Sequence, residues 1–156
     1  MKKFLLLIAC LLSSIMMVAG NENDYFSING GFLFPQTANF QFAYERASGY
    51  DDSVELFGEI GNKFLSSSSP KSYYWAGGVG YKRGIKRYKN SELCLTSELH
   101  AGAYVKKFYF GAGIGLEYTY TFRSGIQFVL QQKNQVNFLK GDTFKNGLLV
   151  GVKIPF

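Results

Sequence analysis

The sequence predicts an all-β protein, an eight-stranded antiparallel up-and-down transmembrane β-barrel that follows a cleaved signal peptide. Three observations support this fold class: polar and apolar residues alternate with a period of two almost to the last residue, turn-forming clusters interrupt the alternation, and aromatic residues make up 17% of the chain. The 156 residues suffice for one domain. The composition is typical neither of a disordered chain nor of a helical membrane protein, because the chain has only one continuous apolar run.

That apolar run lies at the N-terminus, in residues 1–20, and has the pattern of a signal peptide. Two lysines precede the apolar stretch, and small residues follow where a signal peptidase would cut. A transmembrane anchor is the alternative, but Ser13 and Ser14 interrupt the run and leave it short of a bilayer span. We therefore expect residues 1–20 to be removed and residues 21–156 to form an exported barrel domain. Cys94 is then the only cysteine left, which excludes an intrachain disulfide.

Eight candidate strands follow in the mature chain, and each ends where residues with turn chemistry begin. The turn clusters contain Pro35, Gly49, Pro70, Gly84, Lys106, Gly125 and Gly141. Every connection is short enough for an antiparallel meander. The predicted strands are residues 24–34, 38–45, 53–64, 72–82, 91–103, 107–122, 125–134 and 144–156.

One face of these strands is apolar and carries no charge. In strand order it comprises Phe26, Ile28, Phe32 and Phe34; Phe40, Phe42 and Tyr44; Val54, Leu56, Ile60 and Phe64; Tyr73, Trp75, Val79 and Tyr81; Leu93, Leu95 and Leu99; Phe108, Phe110, Ile114, Leu116, Tyr118, Tyr120 and Phe122; Ile126, Phe128 and Leu130; and Leu148, Val150, Val152, Ile154 and Phe156.

The opposite face is small or polar throughout. It comprises Gln41, Glu45, Glu55, Glu59, Gly78, Gly80, Lys82, Thr96, Glu98, His100, Gly111, Gly113, Gly115, Glu117, Thr119, Gln127, Gln131, Lys133, Gly151 and Lys153.

The volume of the lumen decides which face points outward. Eight strands enclose a lumen that side chains just fill, so an interior built from this many Phe, Tyr and Trp residues would be overpacked. The glycine-rich polar face fits the lumen better, and the uncharged aromatic face suits lipid and its interfacial girdles. The outward-facing Phe156 at the end of the chain also resembles the terminal signature of bacterial outer-membrane barrels. We therefore favour a membrane barrel over a soluble one and expect it in the outer membrane of a Gram-negative bacterium.

Glu98 and His100 are the residues that most suggest chemistry, because they share a strand face and His100 is the only histidine. One interpretation is an acid–base pair of a lipid-modifying barrel enzyme. The other is a lumenal network, since unpaired buried carboxylates are costly. We favour the network, because a lipid enzyme must present its catalytic groups to the bilayer, whereas the alternation places His100 on the inner face. Its expected members are Glu55, Glu59, Glu98 and Glu117 opposed by Lys82, Lys133, Lys153 and His100.

Residues 82–89 are the strongest charge feature, with five cations in eight positions. A loop of this composition could contact nucleic acid, lipid phosphates or an acidic protein, but a solvated turn near the headgroups is the simpler interpretation. The whole chain has a net charge of +6, which by itself is no nucleic-acid signature. The sequence has neither the ligands of a metal site nor a phosphate-binding loop. We expect no catalytic, metal or cofactor-binding residues.

The segment from Phe108 to Phe156 resembles the C-terminal part of the TraO family of outer-membrane proteins, which conjugative transposons of Bacteroidetes encode. The resemblance lies in the glycine-rich strand of residues 111–117, in residues 126–130 and in residues 151–153. Residues 97–104 resemble a Ser/Ala/Gly/Tyr strand of the same family. The resemblance implies an accessory part of a conjugative transfer apparatus of the type IV secretion class, with no catalytic residues.

The sequence thus predicts a non-enzymatic outer-membrane barrel in a DNA-transfer apparatus. Its expected partners are outer-membrane lipid and other transfer proteins, without direct nucleic-acid contact, a small-molecule substrate or a cofactor. The alternatives are a stand-alone structural or adhesive barrel and, third, a lipid-modifying enzyme.

Overall fold

A computed structural model of the chain describes residues 24–47, 51–63, 72–105, 107–138 and 143–156. Eight antiparallel strands close into one barrel in sequence order, which confirms the predicted fold class. Among these residues, no helix is long and apolar enough to cross a membrane. The strands are β1 (Asp24–Phe34), β2 (Thr37–Ala47), β3 (Asp52–Lys63), β4 (Ser72–Tyr88), β5 (Ser91–Tyr104), β6 (Lys107–Thr121), β7 (Gln127–Phe138) and β8 (Phe144–Pro155).

Several predictions concern residues outside the described ranges. These are the signal peptide of residues 1–20, the outward position of Phe64, and the turns at residues 48–50, 66–70, 106 and 140–142.

The register of the strands gives the barrel its tilt. A path through paired residues leaves β1 at Phe34 and returns to β1 at Asp24, ten residues away, which is a shear number of 10. With neighbouring strands about 4.8 Å apart and a rise of about 3.3 Å per residue, this shear tilts the strands by about 40°. The path runs through Asn146, Asn134, Ile114, Ser97, Tyr81, Val54 and Arg46.

The predicted alternation of faces is confirmed, and the apolar face points outward. Neighbouring residues of β4 illustrate it, since Tyr74 is 2% exposed and Trp75 is 50% exposed. Exposed charged side chains on the outer face of the described strands, such as Arg83 and Lys86, lie near a rim. The outer surface therefore carries an uncharged apolar band, as lipid requires.

Three predicted strands are too short, and the smallest difference is in β2, which extends one residue before and two residues beyond the predicted 38–45. Residues 83 and 84 do not form a turn, because β4 continues to Tyr88 and absorbs the irregularity in a β-bulge between Gly84 and Lys86. The chain reverses instead at Lys89 and Asn90. β7 continues past residue 134 to Phe138, because the inward–outward alternation continues to its end.

Candidate functional site

The polar residues of the inner face form two charged clusters that fill the lumen. The first charged cluster lies toward the end of the barrel that holds both described termini. Lys82 Nζ lies 2.7 Å from Glu45, 2.5 Å from Glu55 and 2.8 Å from Glu117. Lys153 Nζ contacts Glu45 at 2.7 Å and Glu117 at 2.5 Å. Each carboxylate of this cluster is thus within ion-pair distance of at least one ammonium group.

The second charged cluster lies deeper in the lumen and centres on Lys133. Its Nζ lies 3.0 Å from Glu59 and 3.1 Å from Glu98 and donates to Gln41 Oε1 at 3.1 Å. Gln41 Nε2 donates to Glu55 Oε1 at 3.0 Å, so Gln41 connects the two charged clusters. The predicted lumenal network is therefore confirmed, with Glu45 and Gln41 as further members.

Two glycines make room for this packing. A Cβ added at Gly113 would lie 2.7 Å from Glu98 Oε1, and one added at Gly111 would lie 2.5 Å from His100 Nε2. Both approaches are too close for any side chain. β6 therefore needs glycine where the carboxylate and imidazole of β5 cross it.

His100 lies inside the barrel and is 4% exposed. Its Nε2 lies 2.8 Å from Asn137 Oδ1, its Nδ1 lies 3.5 Å from Glu98 Oε1, and its ring stands edge-on to Tyr109. The structure thus brings Glu98 and His100 together, as the sequence predicts. Both side chains point into the lumen.

An aromatic layer that the sequence did not predict lies toward the other end of the lumen. Tyr74 and Tyr109 pack edge-on at 6.2 Å between ring centroids, and Lys145 Nζ lies 3.5 Å from the centroid of Tyr74. Asn39 Nδ2 donates to Tyr74 Oη and to Glu59 Oε2, which joins this layer to the second charged cluster. The inward parity of Tyr74 on β4 and of Tyr109 on β6 was the signal that could have identified them.

At the terminal end the lumen widens into a vestibule, a cavity of about 660 Å³. Its floor includes Glu45 and Lys153 of the first charged cluster, and Cys94, a buried free thiol, lies in its wall. The vestibule is polar and carries both signs of charge. Within the described parts of the chain, no group of three or more His, Cys, Asp or Glu residues could hold a metal ion.

The structure corrects the interpretation of residues 82–89 as one basic loop. Lys82 points into the lumen as the centre of the first charged cluster, and Arg87 pairs with Glu92 at 2.9 Å across the β4–β5 hairpin. Alternation along β4 and the bulge after Gly84 place Lys82 and Arg87 on the lumenal side of the wall and Arg83 and Lys86 on the outer side. The exposed remainder is Arg83, Lys86 and Lys89, together with Ile85 and Tyr88, at the terminal rim.

The sequence matches no known family and no curated protein. Among solved structures, the chain is similar to a major outer membrane protein from Thermus thermophilus, with 11% identity over 85% of this chain and 98% of that chain and a TM-score of 0.62. Neisserial surface protein A (NspA) shares 11% identity over 85% and 94% of the two chains, with a TM-score of 0.57. The outer membrane enzyme PagL shares 8% identity over 85% and 99%, with a TM-score of 0.55. At these identities the likeness is one of fold.

The closed barrel and its surface place the chain in an outer membrane. Its strands are hydrogen-bonded to one another all the way around, and its large apolar side chains face outward in a band around the wall. Its charges are paired inside. This distribution is stable only where lipid surrounds the wall, and closed β-barrels of this kind are the architecture of outer-membrane proteins.

Proposed function

We propose that the protein is a non-enzymatic outer-membrane barrel that anchors or organises part of a DNA-transfer apparatus. The observation that supports a structural role is the filled lumen. Two charged clusters and the aromatic layer occupy successive levels of the barrel, so paired side chains fill the lumen at these levels and stabilise the wall.

The non-enzymatic part of the proposal rests on where His100 lies. PagL shares the fold and is an enzyme, so the fold alone does not decide the question. In this chain the Glu98–His100 pair is enclosed in the lumen and bonded to Asn137. We expect His100→Ala and Glu98→Gln to leave the lipid profile of the outer membrane unchanged while the barrel still folds. A changed lipid profile with either folded variant would support the enzymatic alternative instead.

The role in DNA transfer rests on the resemblance of residues 97–104 and 108–156 to the TraO family. Deletion of the gene from its element should reduce conjugative transfer and leave growth unchanged, and the gene supplied in trans should restore transfer. Normal transfer without the gene would refute this role and leave a stand-alone structural barrel.

The exposed basic end of the β4–β5 hairpin is where we expect a partner protein to bind. Lys86 and Lys89 project from the terminal rim, whereas Lys107 is an exposed lysine at the opposite rim. In the complementation assay, Lys86→Ser with Lys89→Ser should lower transfer, and Lys107→Ser is the matched control that should not. Equal transfer with the double variant and the Lys107→Ser control would exclude this hairpin as the contact.

A further inference from the structure

Three primary amide side chains interrupt the apolar outer surface at one place. Gln132 and Asn134 occupy outward positions of β7, and Asn146 pairs with Asn134 from β8. Asn146 Nδ2 donates to Asn134 Oδ1 at 2.8 Å, and Asn134 Nδ2 donates to Gln132 Oε1 at 3.1 Å and to the carbonyl of Ile114 at 3.2 Å. We call these three side chains the amide cluster.

The amide cluster lies within the apolar band and not at a rim. Along β7 the exposed outward neighbours are Leu130 on one side and Val136 on the other. Along β8 the exposed neighbours of Asn146 are Phe144 and Leu148. The amides therefore face hydrocarbon, where water is not available to complete their hydrogen bonds.

Hydrogen-bonding capacity remains at both ends of the amide cluster. Gln132 Nε2 and Asn146 Oδ1 have no hydrogen-bond partner among the residues that the structure describes. A donor or acceptor left open to hydrocarbon is costly. Phe138 and Phe144 lie between the amide cluster and the nearer rim, which separates the amides from polar headgroups.

We propose that the amide cluster is the interface through which two copies of this chain associate in the membrane. Two copies inserted in the same direction are related by a two-fold axis along the membrane normal, so the same surface of each copy faces the other and each side chain lies at the depth of its counterpart. A charged group placed this way would repel its copy. A primary amide carries both donors and an acceptor and can pair with an identical amide. This interface goes beyond the proposed function and does not depend on it.

Leu148 and Val79 allow a matched cross-linking test in lipid vesicles. Leu148 pairs directly with Gln132 and is 55% exposed, whereas Val79 lies on β4, four strands away, and is 52% exposed. On mild oxidation at high dilution in lipid, Leu148→Cys should form disulfide-linked dimers and Val79→Cys should not. Cys94 faces the lumen and is present in both proteins, so any cross-linking through Cys94 would appear equally in both. Absent dimers with Leu148→Cys, or equal dimers with both, would overturn the proposal.

A second variant tests whether the amides themselves hold the dimer. In the Leu148→Cys protein, Gln132, Asn134 and Asn146 are replaced together by Leu, which is compatible with lipid and keeps the surface apolar. With the interchain hydrogen bonds of the amides lost in the membrane, we expect the dimer yield at a fixed lipid ratio to fall roughly tenfold or more. Heat-modifiable gel migration establishes whether the triple variant is folded. If it is not, the single substitution Asn134→Leu in the Leu148→Cys protein is used in its place. An unchanged yield in the folded variant, or cross-linking in cells to a different protein in place of a second copy, would overturn the proposal.

Discussion

Lys82→Met removes the cation at the centre of the first charged cluster. Lys82 is 3% exposed and lies within 2.8 Å of three carboxylates, those of Glu45, Glu55 and Glu117. In the variant only Lys153 remains to neutralise them, and it contacts Glu45 and Glu117 but not Glu55. Methionine keeps most of the volume of lysine, so the change is mainly one of charge.

We expect this variant to lose about 3–5 kcal/mol of unfolding free energy, because a buried carboxylate without its cation is strongly destabilising. Glu55→Gln alone should change stability by less than about 1 kcal/mol, because two carboxylates and two ammonium groups then remain in the cluster. In the double variant the neutral amide replaces the one carboxylate that Lys82→Met leaves without a cation contact. The coupling energy between the two sites should be about 1.5–3 kcal/mol.

The assay is denaturant unfolding in lipid vesicles, followed by the fluorescence of Trp75, the only tryptophan of the chain. Lys86→Met is the matched control, since Lys86 is an exposed lysine of the same strand, and it should stay within about 0.5 kcal/mol of the unmodified protein. A loss below about 1 kcal/mol for Lys82→Met, or no rescue by Glu55→Gln, would show that lumenal water screens these charges and would refute the reasoning.

Other substitutions test the packing and the lipid contact in the same assay. Gly113→Ala should lower the free energy of unfolding by about 1–3 kcal/mol, because the new Cβ would lie only 2.7 Å from Glu98. Gly77→Ala is the control and should be neutral, because no atom lies nearer than 3.7 Å to its Cβ. Equal effects of the two substitutions would contradict the packing of the lumen. Val150→Arg, within the apolar band, should lower the free energy of unfolding by about 2–4 kcal/mol, and Tyr88→Arg, at the rim, by about 0–1 kcal/mol. Equal losses would contradict the depths at which these two residues lie in the membrane.

The wall of the barrel was predictable because alternation is a local property. β1 matches its predicted bounds, and β3, β5, β6 and β8 lie within one residue of theirs. The extension of β4 was not predictable from Arg83 and Gly84, which carry a turn signal. Pairing with β5 and a bulge at Gly84 overrode that signal, since glycine serves a bulge as well as a turn.

The partners inside the lumen could not be predicted from parity alone. Parity places Lys82, Lys153 and Glu117 inside, but their meeting depends on the shear of a closed barrel, which no single strand encodes. The aromatic layer was missed for a different reason. Tyr74 lies between two outward aromatic residues, Tyr73 and Trp75, so its inward position is hard to distinguish in a run of three aromatic residues.

Quenching of tryptophan fluorescence by lipids with brominated acyl chains tests most directly whether lipid bathes the aromatic face. Trp75 is half-exposed on the outer surface, and its neighbour Tyr74 is buried in the lumen. The native protein should be strongly quenched, and a Trp75→Phe, Tyr74→Trp variant, shown to be folded by its gel migration, should be quenched far less. Weak quenching of Trp75 together with strong quenching at position 74 would mean that the barrel has the opposite face outward.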